Sequence, residues 1–177
     1  MKLRHAVMGA VVALALAGCE RRADDGVSGL DPKQREFLDK ANIQVADVER
    51  VGRGCVGPGN ASRPGSDFSQ AERLEILSCI NREAVRLMTP RLPIQIDSVT
   101  SLTAVVASGP LLTYHSRVAI DASQVTPAQM QLVHQAARAN ACGQPAMRQA
   151  LSLGGSYAYV WTDRNGRSLP PLRIDSC

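Results

Sequence analysis

The sequence predicts an α+β domain: an antiparallel sheet of about five strands, three to four helices on one face, and two disulfides. Three observations carry this. Apolar residues recur at helical spacing in some segments and alternate with period two in others. The segments run helix, helix, three strands, two helices, two strands, which fits an antiparallel sheet with helices to one side. Four cysteines follow an export-type leader, and an even number in an oxidising compartment reads as disulfides. The 177 residues are 45% hydrophobic and 20% charged, which excludes a disordered or collagen-like chain. The aromatics are few: Phe37, Phe68, Tyr114, Tyr157, Tyr159 and Trp161. The core is therefore built mainly from Val, Leu, Ile and Ala.

Residues 1–18 read as a lipoprotein signal peptide. Lys2, Arg4 and His5 make a positive start, and Ala6 to Leu16 is an apolar run. That run is too short for a bilayer of roughly 30 Å, which takes about 20 helical residues. It ends Leu16-Ala17-Gly18-Cys19, which resembles the bacterial lipobox. The resemblance implies a diacylglyceryl thioether on Cys19 and a palmitate-type acyl group on its amine. Several acyl chains hold far more firmly than the single chain that gives marginal binding. Glu20 stands where an Asp would retain such a protein in the inner membrane, so the expected location is the outer membrane, facing the periplasm. Residues 19–30 are polar, contain two Gly, and read as a flexible tether reaching on the order of 18 Å. Residues 31–177 form the single α+β domain.

Net charge is +4, from 20 basic and 16 acidic residues. Loss of Lys2 and Arg4 with the leader reduces it further. No block of five or six like charges occurs, so no nucleic-acid footprint is present. Arg21 and Arg22 read as part of a solvated tether.

Cys55, Cys79, Cys142 and Cys177 allow three connectivities. We favour Cys55–Cys79, which staples a Gly-rich loop to a long helix, and Cys142–Cys177, which ties down a residue otherwise prone to fray. No CxxC occurs, so neither a thioredoxin-like pair nor a zinc knuckle is indicated.

The elements follow in order. Asp31-Pro32 opens a helix carrying Phe37, Leu38 and Ala41, which stops near Asn42. Ile43 to Val51 fits a strand or a helix. Gly52 to Asp67, rich in Gly and Pro, reads as a loop. Ser69 and Glu72 make a capping box, and Leu74, Leu77, Asn81, Ala84 and Met88 mark an amphipathic helix over 69–88 that ends at Thr89-Pro90. Three strands follow. Ile94 and Ile96 face one way, then Leu102, Ala104 and Val106, then Leu112, Tyr114, Ser116, Val118 and Ile120. Thr126-Pro127 starts a helix with Met130, Val133, Ala137 and Ala141 on one face. Pro145 to Leu153 is a second, closed by Gly154-Gly155. Tyr157, Tyr159 and Trp161 alternate along a fourth strand. Asn165-Gly166 turns the chain, and Leu169 to Asp175 returns, weakened by Pro170-Pro171.

Several short stretches together resemble a known family. They are Cys79-Ile80-Asn81, Leu92-Pro93 with Ile96-Asp97 and Thr100, and Leu112-Thr113-Tyr114. Gly154-Gly155, Tyr157, Tyr159, Asp163, Gly166 and Cys177 complete the pattern. It is similar to small exported α+β proteins of Gram-negative bacteria, some described as quorum-sensing-regulated secreted virulence factors. The lipobox and the Cys55 loop depart from that secreted pattern. The resemblance implies a compartment and a fold and brings no catalytic residues.

No site chemistry stands out. His115 falls on the polar side of its strand and His134 beside the apolar face of its helix; neither sits in an HxxxH or HExxH spacing. There is no GxSxG, GxGxxG or P-loop, and Gly54 to Gly59 lacks the following Lys-Ser/Thr. The remaining thiols are expected to be oxidised. No metal or cofactor is expected. Tyr157, Tyr159 and Trp161 share a face that is either a binding platform or, as we favour, part of the core. The expected function is a non-enzymatic lipoprotein that binds a protein or envelope component. One alternative is an inhibitor or immunity lipoprotein using the loop Gly52–Asp67. Another is a hydrolase pairing carboxylates among Asp97, Asp121, Asp163 and Asp175.

Overall fold

The computed structural model describes residues 36, 38, 39, 41–58, 60 and 67–177. The expected signal peptide, Cys19, the expected tether and most of the helix expected from Asp31 lie outside the described residues. Of that helix Glu36, Leu38 and Asp39 are helical, Leu38 and Ala41 are buried, and Asn42 takes a positive φ where the chain turns.

The next segment resolves the strand-or-helix ambiguity. Helix α1, Val45–Val56, sets Val48 and Val51 inward at helical spacing and continues through Gly52 and Gly54. Two glycines cost a helix about 1 kcal/mol each. The disulfide Cys55–Cys79 (Cα–Cα 5.6 Å) ties this last turn to the next helix and helps hold it helical. The expected loop Gly52–Asp67 is therefore corrected: its first five residues are helix, which ends at Gly57.

Helix α2, Gln70–Met88, begins with the expected capping box. The Glu72 N–H donates to the Ser69 hydroxyl and the Ser69 N–H to the Glu72 carboxylate, at 3.3 and 2.7 Å. Its buried stripe includes Leu77, Ile80, Asn81, Ala84 and Met88. Asn81 is the polar member, and its amide donates to the Gly109 carbonyl at 3.1 Å, fixing the turn between two strands.

Strands β1 (Ile94–Gln95), β2 (Thr100–Ser108), β3 (Leu111–Val118), β4 (Ser156–Thr162) and β5 (Leu172–Ile174) form one sheet in the order β1-β2-β3-β4-β5. Three neighbouring pairs are antiparallel, but β3 and β4 run parallel. The purely antiparallel expectation is thus corrected to a mixed sheet. The chain between them passes through α3 (Pro127–Gly143) and α4 (Pro145–Ser152), and a helical crossover of that length delivers the next strand in the same direction.

A second correction concerns β2. Its pairing with β3 shifts register between Leu102 and Ala104, so Val105 enters the core and Val106 turns outward, 49% exposed. A bulge inserts one residue and reverses every later side chain in the strand. Strict alternation had placed Leu102 and Val106 on the same face.

The core lies on one face of the sheet, on Leu102, Val105, Leu112, Tyr114, Tyr157, Tyr159 and Ile174. Helix α2 packs on β2 and β3, α1 packs on α2, and α3 brings His134 against Trp161. Chain direction reverses at Gly154 and Gly155 before β4. Gly154 has φ +96°, and a Cβ on Gly155 would stand 2.8 Å from the Ala150 carbonyl oxygen. Only glycine fits such a close approach without displacing backbone. A second disulfide, Cys142–Cys177, joins the end of α3 to the segment after β5.

Candidate functional site

The aromatic strand is inside the molecule. Tyr157 and Tyr159 are each 2% exposed and Trp161 7%. Their rings continue a stack with Tyr114 and His134: Tyr114 lies 6.4 Å from Tyr157 and 5.5 Å from Tyr159, then 5.9 Å separates Tyr159 from Trp161 and 5.7 Å Trp161 from His134. A surface platform at these three positions is therefore ruled out by burial. β4 pairs on both sides, and the helices cover this face. Burial raises the Tyr157 and Tyr159 hydroxyls well above their usual range, so both stay protonated. Neither hydroxyl finds a hydrogen-bond partner among the described residues.

The carboxylates proposed for hydrolysis are occupied. Asp163, fully buried at the end of β4, accepts from the Asn165 and Arg167 N–H groups at 2.8 Å, from Ala122 N–H at 3.0 Å and from the Arg167 guanidinium at 2.9 Å. Burial alone would raise its pKa, but these bonds outweigh it and hold the carboxyl well below the usual carboxylate range. Asp121 shares Arg167 with it and accepts from Ser123; bonds from the Ser123 hydroxyl and N–H, with the Arg167 charge, lower it to about 2. Asp97 caps the turn before β2 through Val99 and Thr100 N–H. Asp175 pairs with Arg173 at 2.8 Å and accepts from the Ser156 hydroxyl. A general acid needs a raised pKa, and Asp121, Asp163 and Asp175 are all lowered. Asp121 and Asp163 do meet in space, and their work is to clamp the β4–β5 connection to the segment after β3.

Two surfaces remain. A shallow groove of about 380 Å³ lies beside Cys55–Cys79, with Val56, Phe68 and Ile76 next to Glu72, Glu75 and Arg82. Its Cys55, Val56 and Asn60 come from the segment expected to serve as an inhibitory loop, of which residues 59 and 61–66 lie outside the described residues. The other surface is the face of the sheet opposite the helices. Register places Ala104 beside His115 and Val160, and Val106 beside Thr113 and Ala158. Most of these residues are half-buried by their neighbours alone, and Val106 is open to solvent. Between the exposed Arg117 at one end and Arg173 on β5, the middle of this face presents small and apolar side chains.

Among the described residues no group of three or more His, Cys, Asp or Glu gathers to hold a metal, and no helix is long and apolar enough to cross a membrane. His115 sits within the open face, and the His134 ring nitrogen lies 3.1 Å from the Pro170 carbonyl.

No protein-family model matches the chain, and no curated protein matches it. Among solved structures it is similar to a Pseudomonas aeruginosa protein described as secreted, at TM-score 0.51 and 17% identity over 58% of this chain and 92% of that one. It is also similar to two type II secretion pilotins, at TM-score 0.49. EpsS from Vibrio vulnificus is 16% identical over 59% of this chain and 92% of its own. AspS from Vibrio cholerae is 20% identical over 60% and 95%. The first likeness is one of fold, and it agrees with the α+β class expected from the residues.

Sequence reasoning missed the place of Val106 on the open face and the Asp163 clamp. The clamp had a local signal, an Asp two and four residues before its partners Asn165 and Arg167. Its third anchor, Ala122, is distant in sequence. The open face was legible in β3 and β4, where alternation turns Thr113, His115, Arg117, Ala158 and Val160 away from the aromatics; Val106 was not, because the bulge that turns it outward leaves no mark in the residue pattern.

Proposed function

We propose that this chain is a non-enzymatic lipoprotein, anchored through Cys19 in the outer membrane and facing the periplasm, which binds a protein of the cell envelope through the open face of its sheet. The observation that carries the binding half is that face: Ala104, Val106, Thr113, Ala158 and Val160 on β2, β3 and β4, with Val106 half-exposed and no helix of the described residues over them. The carboxylates near it are engaged in ion pairs and backbone bonds, which supports a binding role over catalysis. The Leu16-Ala17-Gly18-Cys19 stretch supports the anchor. Residues 19–30 then let the domain range over the membrane surface.

Both halves are testable in one preparation. Wild-type protein takes up a palmitate analogue and sediments with membranes; Cys19→Ser does neither. After mild cross-linking of whole cells, wild-type protein purifies with an envelope protein in stoichiometric amount. A Cys19→Ser protein still in the membrane fraction, beside an unlabelled wild type, sinks the anchor. A wild type that purifies alone sinks the partner.

A further inference from the structure

We infer that the outer edge of β2 pairs with the same edge of a second copy of this chain, antiparallel about a two-fold axis through Val106. This goes beyond the reading above, and the binding of an envelope protein stands or falls separately.

The edge is open for most of its length. β1 is two residues long and pairs only with Ser101 and Leu102. From Thr103 to Ser108 that side of β2 has no strand partner among the described residues. None of the backbone bonds made there outside helices and strands involves these six residues. Unpaired N–H and C=O groups in such a row recruit another strand unless charge, proline or a covering element blocks them. Thr103-Ala104-Val105-Val106-Ala107-Ser108 contains neither charge nor proline, and Val and Thr favour a strand. The register shift between Leu102 and Ala104 limits the regular stretch to Ala104–Ser108, and the chain turns away at Gly109, φ +58°.

Parity fixes the register. Residues opposite each other in an antiparallel pair share a face, so the two-fold axis passes through a residue and not between two. Centring on Val105 sets Ser108 against Leu102, whose outer edge Ile94 already holds. Centring on Ala107 leaves only a short overlap before the turn. Centring on Val106 uses the whole stretch: Ala104 meets Ser108 of the copy, Val105 meets Ala107, and Val106 meets Val106. About four to six backbone hydrogen bonds result.

The side chains suit a copy of themselves. Val106, 49% exposed on the open face, is covered by its own counterpart. On the core face, half-buried Ala107 gains Val105 as a neighbour. A foreign strand is selected by charge or by pockets for alternate side chains. This stretch has no charge to select with and none to repel its copy. The contact is well below the roughly 20–30 residues a side of a standard interface, so monomer and dimer exchange. In the dimer the two open faces lie side by side on one surface of a continuous sheet.

The test is oxidative cross-linking of the purified full-length Cys19→Ser chain in detergent. In that background Cys55, Cys79, Cys142 and Cys177 are all in disulfides, and the anchor reading plays no part. Val106→Cys places two thiols on the axis, at the roughly 4.5–5.5 Å Cα spacing a disulfide spans. It forms a covalent dimer at least about tenfold faster than Leu132→Cys, an exposed position on α3 that reports random collision. Ala104→Cys and Ser108→Cys cross-link when mixed. Neither does so alone, because each lies at least about 13 Å from its own copy, four positions at 3.3 Å. Adding Val106→Lys to the mixed pair sets like charges opposite each other and lowers the rate to that of Leu132→Cys. These variants melt like wild type, because the altered side chains lie off the core. Val106→Cys cross-linking no faster than Leu132→Cys overturns the pairing. Ala104→Cys alone cross-linking as fast as the mixture overturns it as well.

Discussion

Trp161 lies between Tyr159 and His134 at 7% exposure, so truncating it removes contacts on both ring faces at once. Trp161→Ala lowers unfolding free energy by about 3–5 kcal/mol in urea titration. A change under about 1 kcal/mol would mean the ring packs far more loosely than its burial indicates. This residue was legible in the sequence, because alternation along one strand places Tyr157, Tyr159 and Trp161 together whatever the rest of the fold does. Asp163 was not. Its burial follows from a long-range bond to Ala122 that no local pattern encodes. Asp163 and Asp121 ionise more readily folded than unfolded. Their contribution to stability is thus full above an unfolded carboxylate pKa of about 4 and is lost as pH falls through the lower folded values. The wild-type melting temperature accordingly drops between about pH 4 and pH 2, and Asp163→Asn flattens that drop. An unchanged acid slope in the variant would show that Asp163 does not carry it.

At the scale of elements, the Cys55–Cys79 bridge pins α1 to the helix it packs on, and Cys142–Cys177 ties α3 to the segment after β5. The Cys55–Cys79 bridge closes 24 residues and Cys142–Cys177 closes 35. Chain entropy predicts that removing either costs about 3–4 kcal/mol. The double variants Cys55→Ser/Cys79→Ser and Cys142→Ser/Cys177→Ser measure this separately by denaturant midpoint. The first pair should also loosen the last turn of α1, which amide exchange at Arg53 to Val56 would register; protection equal to wild type there contradicts the role given to the bridge. Helices α2, α3 and α4 were legible from caps and spacing: Ser69 with Glu72, Thr126 with Pro127, Gly154 after the last turn. Helix α1 was obscured by Gly52 and Gly54, whose low propensity is offset by tertiary contacts. The bulge in β2 was invisible for a similar reason: Val105 and Val106 are interchangeable in composition, and only pairing with β3 decides which goes inside.

For the molecule as a whole, α+β class, strand number and one-sided core followed from element order. Strand direction did not. A meander and a crossover contain the same segments, and the choice depends on which neighbour β4 finds once α3 and α4 have packed. The open face has the same origin. The helices of the described residues went to the side carrying the aromatics, and they leave the other side of β2 to β4 uncovered. A sequence with so few aromatics, concentrated on β3 and β4, left little apolar bulk for that second side.

The parallel contact between β3 and β4 also fixes an order in time. β2 and β3 are adjacent in sequence and close through one short turn, an event of about 1–10 μs for an isolated hairpin. Leu111 cannot meet Ser156 until the intervening helices have been threaded back across the sheet, and that loop closure is the entropic hurdle. β5 adds last, because among the described residues its one strand neighbour is β4. Val105→Ala, in the early hairpin, therefore slows refolding in stopped-flow measurements. Ile174→Ala, in the late strand, leaves refolding nearly unchanged and speeds unfolding. The reverse assignment of rates would place the nucleus at the crossover. On the proposed pathway the hairpin and α2 assemble first, so a chain emerging from N- to C-terminus has half its sheet in place before the crossover begins.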